Sequence, residues 1–368
     1  MSFAKQTLAD ILPAERNTFG LMRLMAALAV VVSHSVHLAG APESAEPLVG
    51  LTGFSLGEHA VHLFFTISGV LIAASLMRSA TLGHYIQARA LRLLPGLTVC
   101  VLVSGLLIGP LVSGLGVAHY FQAAGFYRYV LLTLGLVTAN APLPGVFTQN
   151  PVPDIVNLPL WTLKYEAICY LGLLLLGVLG VMRSRALATA VLVPLLLMWV
   201  AVSAFPDTLT PGPTLLSLLR LAFSFGLGTV SYLWRDKLVL HWWGVALALL
   251  AMTMAWGTRF AAPADQLFVA YAVLWAASLP AGWLGAITRR NDLSYGVYIY
   301  DWLIAQTLLA LVPGLSQPVL LAATLSLVLP LAALSWFLIE KPALNWKRRT
   351  AKPAWGQTPF FRGLTPIG

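Results

Sequence analysis

Apolar stretches of membrane-crossing length recur along almost the whole of this chain, and few architectures can accommodate them. They fall at roughly 21–39, 60–78, 91–113, 126–140, 159–182, 186–205, 213–234, 240–257, 266–286, 294–312 and 318–339. Most approach or exceed the ~20 residues that a helix needs to cross a ~30 Å hydrocarbon layer. Lipid offers the backbone no hydrogen-bond partners, and a helix satisfies them internally. Composition agrees: 59% of the residues are hydrophobic and 10% charged, whereas a soluble domain carries about 25% charged residues. The expected fold is an all-α polytopic membrane helix bundle.

Charge placement sets the topology. If the 126–140 run lies at the interface without crossing, the connections holding Arg78, Arg89 and Arg92, Arg183 and Arg185, Arg235 and Lys237, and Arg289 and Arg290 share one side. The terminal Lys5, Arg16, Arg23, Lys341, Lys347, Arg348, Arg349, Lys352 and Arg362 join them, making 18 of the 22 Lys and Arg. By the positive-inside rule that side is the cytoplasm. The loops holding Glu43, Glu46, Asp154, Asp207 and Asp265 then face outward. A crossing at 126–140 would set the two halves of the chain in conflict. The reading is therefore about ten transmembrane helices with both termini cytoplasmic, in one membrane domain at 1–349 with a short cytoplasmic tail at 350–368.

The net charge of +9 does not indicate nucleic acid, because the basic residues cap apolar runs and do not alternate with aromatics. Cys100 and Cys169 lie inside apolar runs and read as buried thiols, not as a disulfide or metal site. No small-residue cleavage site follows the first run, which reads as an uncleaved span.

Within such a bundle the informative residues are polar ones inside spans, each costly unless paired or facing a cavity. Arg23 and His34 are eleven residues apart, so they share a helix face about 16 Å apart along the axis. An imidazole is the usual general base near neutral pH, although headgroup anchoring by Arg23 and a helix–helix bond from His34 would give the same pattern. Arg89 and Arg92, three apart, place two guanidinium groups on one face, suited to phosphates or to ordinary anchoring. Glu166 lies a turn inside its run, placed to orient an imidazole, bind an acceptor, or pair with Lys164 or Arg220. Trp161 suits an interfacial belt. Tyr295, Tyr298 and Asp301 form a stripe facing protein or water, with Asp301 lacking an evident partner. Glu340 has Lys341 or another cation as its simplest partner. His59 and His62 share a face but lack a third ligand, a poor case for metal.

Several strings resemble motifs of the integral membrane acyltransferase-3 family, which includes O-antigen, exopolysaccharide and nodulation-factor acylases. Arg16 to Leu24 with His34 resembles its opening Arg-x10-His helix, and Ala60 to Ile72 its second-helix signature. Arg89-Ala90-Leu91-Arg92-Leu93-Leu94-Pro95 resembles its paired-arginine motif. Leu143 to Phe147, Leu160 to Glu166, Leu293 to Trp302 and Ile339-Glu340-Lys341-Pro342 resemble later ones, in order along nearly the whole chain.

The resemblance implies a multi-pass inner-membrane O-acyltransferase that takes an acyl group, typically acetyl, from cytoplasmic acyl-CoA to a glycan hydroxyl at the outer face. His34, Arg23 and Glu166 would form the catalytic group. Arg89 and Arg92 would bind the donor, and Trp161, Tyr298, Asp301 and Glu340 would bind substrate, without a metal. Membrane lipid, a glycan acceptor and polysaccharide-biosynthesis proteins are the implied partners. Two departures stand out: Asp301 occupies a position where many members carry histidine, and the expected organisation is one without a fused periplasmic esterase-like domain. The competing reading is a transporter or flippase for a glycan or lipid-linked precursor, against which stands the lack of an internal repeat.

Overall fold

The computed structural model of the protein describes residues 6–79, 81–138 and 141–350, the last four by backbone alone. The tail expected at 350–368 lies almost wholly outside the described residues, and Lys5, Lys352 and Arg362 with it. Helix is the regular secondary structure of the described residues, and an isolated bridge between Thr7 and Val239 is their one extended pairing.

The principal helices are α1 (Phe19–Leu38), α2 (Leu56–Arg78), α3 (Leu82–Leu102), α4 (Ala124–Leu134), α5 (Trp161–Val178) and α6 (Arg185–Ala204). They continue with α7 (Pro213–Leu233), α8 (Trp242–Ala255), α9 (Ala261–Ala276), α10 (Gly282–Arg290), α11 (Ser294–Leu311) and α12 (Gln317–Ser335). A π-helical stretch, Val103–Ile108, carries α3 into a last turn, and another, Trp336–Glu340, carries α12 into Lys341–Thr350. Among the described residues, seven helical stretches are long and apolar enough to cross a membrane. They include α1, α2, α5, α6, α7 and the extended α3 and α12. At 14 and 16 residues α8 and α9 are shorter than that standard, and α11 carries too many polar groups to meet it.

The stretch read from sequence as interfacial folds as the 11-residue α4, about 16 Å long and so about half a hydrocarbon layer. Between it and Leu158 the described residues form no regular helix or strand, yet Val146, Phe147 and Asn157 are buried. Asn150 donates to the Gln306 carbonyl at 2.8 Å, Asn157 to that of Ile299 at 2.8 Å, and Gln306 to that of Val152 at 2.7 Å. This loop is sewn to α11, which is how non-helical backbone survives in a membrane protein.

Helix α11 is the axis of the bundle, flanked by α1, α12 and α3. Every residue from Ser294 to Leu303 is buried. The outer surface is the reverse of a soluble protein's: Leu107, Leu131, Leu175, Leu247 and Leu338 are all more than half exposed, a surface suited to lipid. The closest helix crossing, α2 against α7, depends on two glycines. A Cβ on Gly69 would stand 2.0 Å from the Phe225 carbonyl oxygen, and one on Gly228 would stand 2.1 Å from that of Thr66. Packing between helices in lipid relies on such small residues, because lipid tails are as apolar as the helices themselves. Here the obstructing atoms are backbone, so no side-chain rotation relieves the clash.

Gly69→Val and Gly228→Val should each destabilise the bundle by about 1–3 kcal/mol or more, read as a lowered midpoint of thermal unfolding in detergent. A midpoint equal to that of the unaltered protein would show that this crossing is not a close one.

Candidate active site

Two polar clusters occupy opposite ends of the α1–α11 pair, and a line of cavities joins them. At one end, Arg23 near the start of α1 and Arg92 on α3 converge on Asp292, in the turn before α11. Their Nη atoms donate to the same Asp292 oxygen at 2.9 and 2.7 Å. The other Asp292 oxygen accepts from the Ser294 hydroxyl and backbone N–H. Burial disfavours the charged carboxyl, but the two guanidinium groups and the Ser294 bonds prevail and hold it well below the usual carboxylate range. Arg92 also lies 3.6 Å from Glu340, which accepts from the Ser335 hydroxyl, and stands over the Tyr295 ring at 5.4 Å. The π-helical stretch of α12 ends at Glu340, a distortion of the kind often found at functional sites.

Arg89 is held differently. It donates to the Ser75 hydroxyl at 3.3 Å and lies near the Tyr85 and Tyr170 rings, and no carboxylate pairs with it among the described residues. Its Nε is buried without a hydrogen-bond partner.

At the other end, three turns along α1, His34 Nδ1 lies 2.6 Å from Asp301 Oδ2. Asp301 is almost fully enclosed and His34 slightly open, with the Trp302 ring edge-on at 4.9 Å. An ionised carboxylate can only accept, so this contact calls for a proton on Nδ1. Asp301, read from sequence without a partner and as a substrate ligand, is thus fastened to His34. The dyad forms because α1 and α11 pack side by side, 267 residues apart in the chain.

His34 and His37 border an outer cavity of about 620 Å³, whose wall also holds Glu43, Glu46, Glu58, Arg220 and Trp161. A narrow passage of about 50 Å³ begins at Val61 and Tyr298, which line both spaces. It runs between Phe64, Phe65 and Tyr295 to Arg23, Ser68, Arg92 and Glu166. Those last four also line a third space, of about 150 Å³, beside Arg89 and Tyr170. Three neighbouring spaces with shared lining residues thus form a track from the arginines toward the imidazole.

The remaining candidates are distributed along this track. Glu166 accepts from Ser68 at 3.4 Å and from the Tyr170 hydroxyl in a very short contact, so the Lys164 or Arg220 pairing considered from sequence does not form. Arg220 instead pairs with Glu58 at 3.0 Å and lies over Trp161. Glu340, grouped with the substrate residues from sequence, sits at the arginine end, away from Trp161 and Tyr298. It meets Arg92 and Ser335, while Lys341 reaches Asn291. The Tyr298 and Thr162 hydroxyls are 2.8 Å apart. His59 and His62 flank Asp265, which is buried inside α9 and not in an outer loop, at 2.8 and 3.5 Å. Among the described residues no group of three or more His, Cys, Asp or Glu is arranged to hold a metal, and both cysteines are buried and free. Sequence reading passed over Asp292. Its one signature was an acidic residue two places before Ser294, the pattern of a helix start.

A family model described as an acyltransferase domain matches residues 17–340. Nodulation protein 10 of Rhizobium leguminosarum bv. viciae is 33% identical over 377 residues, covering 90% of this chain and 94% of its own. The O-acetyl transferase of Shigella phage Sf6 is 31% identical over 341 residues, covering 89% and 96%. No solved structure matches.

Removing the Asp292 charge would strand Arg23 inside the bundle and leave Arg92 with Glu340 alone, 3.6 Å away. Asp292→Asn should therefore cost about 3 kcal/mol. Because the folded carboxyl titrates below the unfolded one, its contribution is complete at neutral pH and lost on acidification. The stability gap between the two proteins should hold from pH 8 to 5 and shrink below about pH 4. A gap that instead widened toward acid would contradict this pairing.

Proposed function

The chain belongs to the acyltransferase-3 family, an O-acetyltransferase-like membrane enzyme, and from that premise we propose a transfer that runs the length of the polar track. The donor is acyl-CoA, acetyl-CoA in the first instance, approaching the arginine end from the cytoplasm. The acceptor is a hydroxyl of a cell-envelope or exported polysaccharide, held in the outer cavity. The setting is the inner membrane, crossed about ten times with both termini inside, next to the enzymes that build the glycan.

The observation that carries this reading is the His34–Asp301 pair at the junction of the outer cavity with the passage toward the arginines. Arg89, with no carboxylate of its own, is the cation best placed to take a CoA phosphate. Arg23 and Arg92 share their charge with Asp292 and chiefly shape the mouth of the passage. The thioester arm then lies along the passage and presents its carbonyl near Tyr298.

Asp301 fixes the proton on Nδ1 and aims Nε2 at the acceptor. Nε2 takes the hydroxyl proton as that oxygen attacks the thioester carbonyl. The new C–O bond forms, the C–S bond breaks, and the departing thiolate recovers the proton from the imidazolium. The acidic and aromatic wall of the outer cavity suits a sugar, since Glu43 and Glu46 can accept from its hydroxyls while Trp161 covers a ring face. The relative named an O-acetyl transferase fits an acetyl group carried to a hydroxyl oxygen.

Incorporation of label from acetyl-CoA into envelope polysaccharide, at matched membrane abundance, tests the assignment. His34→Ala should lose ~10²–10⁴ of the rate, and Asp301→Asn should lose up to ~10⁴ by favouring the wrong tautomer. Arg89→Ala should raise the apparent KM for acetyl-CoA about tenfold while leaving that for the acceptor in place. Near-normal transfer by His34→Ala would remove the imidazole from the chemistry.

A further inference from the structure

A second cleft opens beside the outer cavity, and the reaction described above makes no use of it. Its volume is about 450 Å³, and it shares Leu158 and Trp161 with the outer cavity, so the indole stands between the two. Leu97 of α3, Leu136 just past α4, and Thr214 and Ser217 of α7 complete its wall.

Two side chains in that wall are unexplained by the fold. Lys164, one turn into α5, is only partly buried and lies 4.8 Å from the Tyr165 ring centroid. No carboxylate pairs with it among the described residues. Thr133, in the last turn of α4, is 2% exposed, and its hydroxyl has no hydrogen-bond partner. An enclosed hydroxyl left unpaired costs ~1–3 kcal/mol, a cost that turning the Thr133 side chain toward a ligand in the cleft would remove. The adjoining cavity has the opposite character. Glu43, Glu46 and Glu58 line it with Arg220, and among the described residues that arginine pairs with Glu58, leaving Glu43 and Glu46 without a cation. An anionic group would be repelled there and drawn past Trp161 to Lys164.

We propose that this cleft is an acceptor subsite for an anion, a sugar carboxylate or a phosphate, borne next to the sugar whose hydroxyl faces His34. Lys164 supplies the charge and Thr133 a hydrogen bond. This inference rests on the acyltransferase reading and adds to it a preference for acidic acceptors. Carboxylate and phosphate are the same demand on the cleft from two sources, an acidic residue of the glycan or the phosphate that links it to a carrier.

The test uses the full chain in detergent and three probes of equal length. One is an oligosaccharide with a single uronic acid, the second its methyl ester, and the third the same oligosaccharide ending in a sugar phosphate. With labelled acetyl-CoA, the unaltered protein should prefer an anionic probe to the ester by about tenfold in kcat/KM. Lys164→Met should abolish that preference, Lys164→Arg should restore it, and Thr133→Val should reduce it a few-fold. Whichever anion shows the preference identifies the source. A preference unchanged in Lys164→Met, or an unaltered protein indifferent to charge, would overturn the subsite while turnover of the ester still upheld the acyltransferase reading. A second arm needs no turnover: the anionic probe should raise the unfolding midpoint of His34→Ala but not of His34→Ala with Lys164→Met. Equal protection of both would likewise refute it.

Discussion

The structure depends on the cost of holding charge away from water. A guanidinium or carboxylate inside a bundle is tolerated only with a partner, and that requirement fixes how α1, α3 and α11 meet. Asp292 takes one hydrogen bond from Arg23 and another from Arg92, which ties the start of α1 to α3 across the N-terminus of α11. The tie has a direction: a carboxylate at a helix N-terminus is also favoured by the helix dipole. At the other end His34 and Asp301 repeat the pairing between α1 and α11. Two polar clasps on one helix pair set both the register of α1 against α11 and the separation of the two functional ends.

Much of this was legible in the sequence, and the legible part follows from periodicity. Apolar runs predicted nearly every long helix, because lipid imposes both a length and a composition on what it surrounds. The eleven-residue spacing of Arg23 and His34 placed them on one face because helical geometry is the same in any context. Partnerships were not legible in the same way. Nothing near Asp301 in the chain announces His34, 267 residues away, so the aspartate read as an orphan. Asp292 was hidden for a different reason: in a short connection between apolar runs, an aspartate resembles any loop residue until the packing brings two arginines to it. Glu166 has a partner one helical turn away in Tyr170, but a tyrosine in an apolar run reads as core before it reads as a donor.

The irregular segment between α4 and α5 shows a related limit. Prolines and glycines break it up as in any loop, yet Asn150 and Asn157 make it part of the wall behind α11. That wall closes the side of the bundle next to the dyad, so His34 faces the outer cavity and not lipid. Sequence chemistry identifies an asparagine as a hydrogen-bonding residue, but only the fold shows that its amide replaces water for the carbonyl of a central helix.

The geometry also bears on how a group can cross the membrane without a transporter's rocking motion. Eleven residues of helix separate Arg23 from His34, about 16 Å, a large part of the hydrocarbon thickness. In the proposed reaction the donor's own flexible arm spans that distance, inside a passage of about 50 Å³ lined by Phe64, Phe65 and Tyr295. A passage lined by those rings suits an extended arm better than a sugar, so in this reaction the acceptor occupies the outer cavity and the nucleotide the arginine end. Separation of the substrates then follows from cavity width, and the reacting atoms meet where the width changes, between Tyr298 and the His34–Asp301 pair. The buried clasp at Asp292 serves this arrangement by keeping α1 and α11 from sliding, since a shift of one turn would carry His34 past the mouth of the passage.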